Sequence, residues 1–336
     1  LPRPGLERVS CGRALRHSNA GYRPEAAGYP RPCSGAAPVQ QNKNRPIIIR
    51  EKGREMSTGK SLSGLFNGEG VAILGASAKK GKPGHSIVAN AKEAGFAGNI
   101  YPVSVSADSI LGFKCSRSLE EISGRIDLVV MVLPAADCVE AARAIARRKD
   151  EKGDISAVVV VSAGFSELGT EAGREREKAL LDALLPRGIR VVGPNCLGVI
   201  DTYSGISTNF DIGAYRRGGL SVITQSGAFA ASYLKWAEPL GLVGLNKFVS
   251  LGNMSDVNVV DLLGYFADDE RTHVIALYLE GTRQGRALVE AAAEVSRKKP
   301  VVAQVMVCGT PICKVSEPVG LVTLITPFIL KLADVA

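Results

Sequence analysis

From Gly70 onward, apolar runs of strand length alternate with longer stretches in which apolar residues recur every three or four positions. Short apolar runs separated by helix-period segments are what βαβ units around a parallel sheet require. The pattern predicts strands over Val71–Leu74, Ile100–Val103, Leu128–Leu133, Ala157–Val161 and Ile189–Val192. It predicts helices over Ser86–Ala94, Ala136–Lys149 and Ala172–Leu185. A polar connection from Asp201 to Arg217 interrupts the rhythm, which then restarts. The second set of strands is Leu220–Thr224, Lys247–Leu251, Val274–Leu279 and Val301–Val305, with helices over Ala228–Pro239, Val257–Ala267 and Gln284–Arg297. Two α/β domains are therefore expected, over 65–205 and 218–305.

The ends break this pattern. Residues 1–55 carry seven prolines, scattered arginines and no apolar period, and Met56 to Gly64 is a polar lead into the first strand. Residues 1–64 are expected to be a disordered or non-native leader. Beyond Val305 the alternation ceases, and 306–336 reads as an atypical tail from a changed reading frame or a truncated gene.

Composition changes this picture little. A chain of 336 residues, 46% hydrophobic and 22% charged, suits an ordinary globular protein. The net charge of +8 lies almost wholly in residues 1–55, where eleven Lys and Arg face four glutamates. No basic stripe crosses the folded part, so no nucleic-acid partner is expected. The apolar stretch from Val319 to Leu332 falls short of the roughly 20 residues of a membrane span and contains Pro327 and Lys331, so no membrane partner is expected. Seven cysteines without a C-x-x-C pair point to reduced thiols and a cytoplasmic protein, and no metal ligands are expected.

Four groups of residues carry candidate chemistry. The run Gly75-Ala76-Ser77-Ala78-Lys79-Lys80-Gly81-Lys82-Pro83-Gly84-His85 follows the first strand and opens the first helix. Glycines permit a tight turn, and a helix N-terminus among lysines attracts a phosphate. The loop lacks G-x-G-x-x-G, and the second strand ends Tyr101-Pro102-Val103-Ser104 without an acid for a ribose, which disfavours NAD. Val192 to Gly198 places Asn195 in a Gly-Pro turn; Cys196 beside it is read as a small buried thiol rather than a nucleophile. Thr224-Gln225-Ser226-Gly227-Ala228 offers a second helix start, with Ser226 as N-cap. Tyr278-Leu279-Glu280-Gly281 sets a carboxylate at a strand end on the same edge as Ser226.

In order and spacing, Val71 to Ser77, Gly95 to Val103, Leu133-Pro134-Ala135, Val192 to Gly198, Thr224 to Ala228 and Tyr278 to Gly281 resemble the NDP-forming acyl-CoA synthetases and the succinyl-CoA synthetase alpha subunit. The resemblance implies a Rossmann-like CoA-binding domain followed by a flavodoxin-like ligase domain that is incomplete here. It implies that coenzyme A or acyl-CoA is held by Gly75, Ala76, Ser77, Gly81, Lys82, Pro83, Gly84, His85, Val103, Pro134, Ser162, Ala163, Gly164 and Asn195. Ser226 and Gly227 would bind phosphate, and Glu280 would steady a phosphohistidine. The family reaction runs from acyl-CoA, ADP and phosphate to acid, CoA and ATP through an acyl phosphate.

Two departures bear on activity. The family's phosphorylated histidine lies in a glycine-rich loop after the strand matching Pro300 to Gln304, but Val305 to Thr310 holds no histidine; the three histidines are His17, His85 and His273. The ATP-grasp portion, which would bring ATP or ADP with Mg, is also missing, so these would come only through a missing or partner domain. The chain is accordingly expected to be the CoA-binding part of a synthetase, not catalytically complete alone. The alternatives are an alpha-type subunit with a separate ATP-grasp beta-type partner, or a non-catalytic acyl-CoA sensor.

Overall fold

The computed structural model describes residues 48–51, 54–57, 62–211, 215–240, 244–282 and 284–305. Residues 1–47, 52–53 and 58–61 of the leader expected over 1–64, and the tail expected over 306–336, lie outside these residues.

The first sheet contains β1 (Gly70–Leu74), β2 (Asn99–Val103), β3 (Leu128–Met131), β4 (Ala157–Val160) and β5 (Arg190–Val192). All five strands are parallel, in the order β2-β1-β3-β4-β5. Helices α1 (Pro83–Glu93), α2 (Ala135–Lys152) and α3 (Glu171–Leu184) connect them. Every residue of β1, β3 and β4 is buried, because helices or the second sheet cover both faces. That burial explains why these strands read as continuous apolar runs rather than alternating ones. The crossover from β2 to β3 has no helix. Arg148 of α2, 2% exposed, pins it by donating to the carbonyls of Leu119, Ile122 and Gly124 while pairing with Asp154 at 2.8 Å.

The second sheet has β6 (Val199–Asp201), β7 (Ile206–Ser207), β8 (Arg217–Thr224), β9 (Leu245–Ser250), β10 (Val274–Leu279) and β11 (Val301–Val305). Its order is β7-β6-β9-β8-β10-β11, with β9, β8, β10 and β11 parallel and β6 antiparallel to β9. Helices α4 (Gly227–Leu240), α5 (Val259–Asp268) and α6 (Gly285–Val295) complete it. The α/β class, with parallel strands at the centre of both sheets, matches the reading of the sequence.

Two expectations about boundaries need correction. The leader expected up to residue 64 intrudes on the folded part: Ile48–Glu51 pairs antiparallel with Arg54–Ser57, and Ser63–Phe66 is a short helix. Leu62, Leu65 and Phe66 are buried, with Phe66 stacked on Tyr265 at 5.0 Å between ring centres. Three apolar residues in a polar segment generate no readable period, yet they fill the space between the sheets. The connection expected from Asp201 to Arg217 begins as a β-ribbon, β6 and β7, that extends the second sheet. Strands of two and three residues are too short to show alternation.

Lys247 of β9 locks these boundary elements together. It is buried, pairs with Asp269 at 2.9 Å and Asp201 at 3.4 Å, and lies 5.7 Å from the centre of the Phe66 ring. A buried cation needs such compensation, and two carboxylates and an aromatic face provide it. Burial raises the Asp269 carboxyl, but hydrogen bonds from Thr272, Lys247 and Asn246 outweigh it and hold the group below the ordinary carboxylate range.

A single apolar cluster runs from Ile73 and Val130 of the first sheet through Val199, Ile223 and Val249 of the second, taking in Phe66 and Phe266. The two sheets therefore share one core. Replacing Phe66 by Ala should cost about 3–5 kcal/mol through the cavity it leaves. Urea unfolding followed by circular dichroism checks this, and an unchanged midpoint would show that the short helix contributes nothing to the core.

Candidate functional site

In an open parallel sheet the strand order reverses at one point, and the crevice outside the carboxyl ends there is where ligands bind. In the first sheet this point lies between β1 and β3, and Gly75 leaves β1 beside it. Gly75 has φ +89°, and a Cβ there would stand 2.3 Å from the carbonyl of Val132. Gly84, in the first turn of α1, packs so closely that its Cβ would lie 2.1 Å from the Gly75 carbonyl. Both positions require glycine, and the contact sets the start of α1 directly over the end of β1.

The amides of Gly75 and Ala76 both donate to the carbonyl of Val103, at 3.3 and 3.2 Å, so they fold the loop over β2 rather than face a ligand. Gly81, at φ +82°, faces open space. Lys82 is the N-cap of α1 without a side-chain cap, and Pro83 follows in the first turn. Lys79, Lys80 and Lys82 are exposed around this helix start. The Ser77 hydroxyl accepts from the Lys79 amide at 3.2 Å, and the Ser77 carbonyl lies 3.1 Å from Nδ1 of His85.

The other expected positions follow the neighbouring strands. Pro134 caps α2 after β3. The Ser162 hydroxyl, after β4, donates to the Leu133 carbonyl and accepts from the Leu133 amide at 3.1 Å. The Asn195 amide, after β5, donates to the Ser162 carbonyl at 2.9 Å. Ala163 is exposed. At Gly164, with φ +112°, the amide donates to Glu167 and the carbonyl accepts from Arg176. The fold thus gathers the residues from Gly75 to Asn195 along one edge of the first sheet, tied strand end to strand end.

The second sheet reverses between β8 and β10. Ser226 follows β8, its hydroxyl accepting from the Phe229 amide at 3.2 Å as the N-cap of α4, and Gly227 opens that helix. Glu280 follows β10 and is exposed. Gln225 joins the two: its Oε1 accepts from the amides of Glu280 and Gly281, and its Nε2 donates to the Gly281 carbonyl at 2.7 Å. The sequence reading passed over Gln225, although it lies inside the quoted Thr224-to-Ala228 run. Phe229 stacks on Tyr278 at 4.0 Å and walls one side of this helix start.

Asn253, after β9, was also not singled out. Its amide nitrogen Nδ2 lies 3.2 Å from the Ser166 hydroxyl, 2.7 Å from Glu167 and 2.9 Å from Glu177. Burial raises both glutamates. For Glu167, the bonds from Asn253 and the Gly164 and Phe165 amides outweigh it; for Glu177, those from Ser166, Ser255 and Asn253 do. Both carboxyls end below the ordinary range. A signal existed in Gly252-Asn253 at a strand end.

Cys196 is buried, and desolvation pushes its thiol up to about 12, which suits the reading of an inert thiol and not a nucleophile. Cys115, Cys138 and Cys196 are all free and buried. Among the described residues no group of three or more His, Cys, Asp or Glu is placed to hold a metal, and no helix is long and apolar enough to cross a membrane.

Two family models match the chain: a CoA binding domain over residues 69–202 and a succinyl-CoA ligase-like flavodoxin domain over residues 217–309. The alpha subunit of an ADP-forming acetate–CoA ligase from Pyrococcus furiosus is 39% identical over 246 residues, which is 72% of this chain and 52% of that protein. This chain carries a CoA-binding domain and a succinyl-CoA ligase-like flavodoxin domain in tandem, and over them it is similar to the ADP-forming acyl-CoA synthetases. An ADP-forming acetate–CoA ligase from Archaeoglobus fulgidus is 39% identical over 71% of this chain, but that stretch is 33% of its own length. The synthetase fold extends to solved structures. The acetyl-coenzyme A synthetase 1 of Ca. Korarchaeum cryptofilum, in complex with phosphate and ADP, superposes with a TM-score of 0.68 at 30% identity, covering 73% of this chain and 51% of that one. The chain thus spans about half or less of the length of these synthetases.

Two outcomes follow from the electrostatics. Glu167 and Glu177 titrate lower in the folded protein than in the unfolded chain, so their contribution to stability is full above about pH 4.3 and is lost as pH falls through their depressed values. Melting curves from pH 7 to pH 3 should therefore fall less steeply for Glu177→Gln than for wild type; identical slopes would show that this carboxylate titrates normally. Native protein treated with a thiol reagent at pH 8 should leave Cys196 unmodified until denaturant is added, as mass spectrometry of the peptide would report.

Proposed function

We propose that this chain is the coenzyme A-binding, alpha-type part of an ADP-forming acyl-CoA synthetase. The observation that carries this reading is the tight packing of Gly84 on Gly75, which sets an uncapped helix start and three exposed lysines at the reversal point of the first sheet. A helix N-terminus with cationic neighbours suits the phosphates of CoA. The pantetheine arm would then run along the edge formed by Val103, Pro134, Ser162, Ala163, Gly164 and Asn195 toward the second sheet.

There the Ser226–Gly227 helix start would hold inorganic phosphate. In the thioester-consuming direction a phosphate oxygen attacks the acyl carbonyl, the C–S bond breaks, and CoA leaves as the thiol while an acyl phosphate forms. The positive end of α4 would stabilise the phosphate throughout. Passing the phosphoryl group on requires a histidine beside Glu280. His85 lies in α1, beside the first sheet, and His273 precedes β10 while Glu280 follows it, a strand length of roughly 20 Å away. The phosphorylated histidine and the ATP-grasp portion with its nucleotide and Mg would accordingly be supplied from outside the described residues, by the rest of a longer chain or by a beta-type partner.

Calorimetry tests the reading. CoA should bind and NAD should not. Gly84→Ala should weaken CoA binding at least tenfold, because the added methyl must displace the Gly75 carbonyl. Lys82→Ala should weaken it less, and the wild-type affinity should fall with added salt. Tight NAD binding without CoA binding would overturn the assignment, and unchanged affinity in Gly84→Ala would show that the phosphate loop lies elsewhere.

A further inference from the structure

The loop from Leu251 to Ser255 touches both candidate regions at once. The Leu251 amide donates to the Thr224 carbonyl at 2.8 Å, next to the Ser226–Gly227 helix start. The Asn253 amide donates to the Pro194 carbonyl at 2.9 Å, and Gly252 lies so near that a Cβ would stand 2.2 Å from that same oxygen. From this fixed backbone the Asn253 side chain reaches Ser166, Glu167 and Glu177 on the first sheet's side. Glu167 in turn accepts from the amides of Gly164 and Phe165, which end the turn beginning at Ser162. Glu177 accepts from the Ser166 amide at 3.2 Å and hydroxyl at 2.6 Å.

The chemistry of this junction is selective. Two carboxylates converge on one side-chain amide, and only a donor with no negative charge of its own satisfies both. Aspartate, nearly identical in shape, would set a third carboxylate within about 3 Å of the other two.

From this geometry we infer that Asn253 is a positioning residue that holds the Ser162–Gly164 turn in register with the phosphate-facing edge of the second sheet. Its effect passes through Glu167, which fixes the Gly164 amide, so the CoA-lining turn is joined to Thr224, two residues before the Ser226 helix start, through these hydrogen bonds and the Leu251–Asn253 backbone. A displacement of this turn by about 1 Å would misplace a thioester relative to an attacking phosphate by enough to matter. The inference rests on the CoA-binding reading above, and its test separates the two.

The test compares the full chain as wild type, Asn253→Ala, Asn253→Asp and the double variant Asn253→Asp with Glu167→Gln. CoA affinity is measured by calorimetry, and hydrogen exchange is followed in the peptide spanning 162–168. Asn253→Ala should weaken CoA binding about fivefold, and Asn253→Asp at least tenfold, each with faster exchange at Gly164 and Phe165. Glu167→Gln should restore part of the loss in the Asn253→Asp background, because the new amide donates to the introduced aspartate while its oxygen still accepts from Gly164; the aspartate still faces Glu177. A residue that only supported the fold would not show that rescue. If Asn253→Asp fails to fold, Asn253→Ala and Asn253→Ser carry the comparison. Wild-type affinity together with wild-type exchange in the single variants would overturn the inference. If the wild type binds no CoA, the functional reading falls, and the exchange data alone decide whether Asn253 holds the turn.

Discussion

A helix can begin directly over the end of a buried strand only if nothing stands between the two backbones. At Gly75 and Gly84 nothing does: two glycines meet where a single methyl would lie 2.1 Å from a carbonyl oxygen. The geometry of the first sheet's edge depends on that contact. It fixes where α1 starts, and hence where Lys79, Lys80 and Lys82 gather and which amides are spent on Val103. The second sheet solves the same problem differently. Gln225 uses its side chain to tie the β8 and β10 ends together, leaving Ser226 free to cap α4.

The two edges are held relative to each other because the sheets share a core. Ile73, Val130, Ile223 and Val249 belong to one apolar cluster, and Lys247 anchors the boundary elements at its border. A parallel sheet must be covered on both faces. Here one face of the first sheet is covered by α2 and α3, around Cys138, Ile145 and Leu180. The other is covered by α1, by the helix at Ser63–Phe66 and by parts of the second half.

Much of this was legible in the sequence. Strands buried on both faces are long apolar runs, so β1, β3, β4 and β10 were found to within a residue or two. The glycine-rich run from Gly75 announced its own turn, because a tight crossing leaves no room for other residues. Elements whose identity depends on a distant partner were hidden. Phe66 looks like an isolated apolar residue until Tyr265 is placed against it, and β6 has no alternation until β9 pairs with it. Gln225 and Asn253 were missed for the same reason. An amide side chain has meaning only through what it bonds to, and its partners lie 55 or more positions away. The cation Lys247 was equally silent, since nothing nearby in the chain explains its burial.

The shared core has a consequence for how such genes can be rearranged. Only the short stretch from Gly193 to Gly198 separates the last strand of one sheet from the first strand of the other, and the Asn195 and Leu197 amides in that stretch are bonded to Ser162 and Ser250. A break placed there would expose the apolar surfaces that Ile73 and Val249 now bury together. A transplant of either half alone into another protein would therefore have to cover that surface anew.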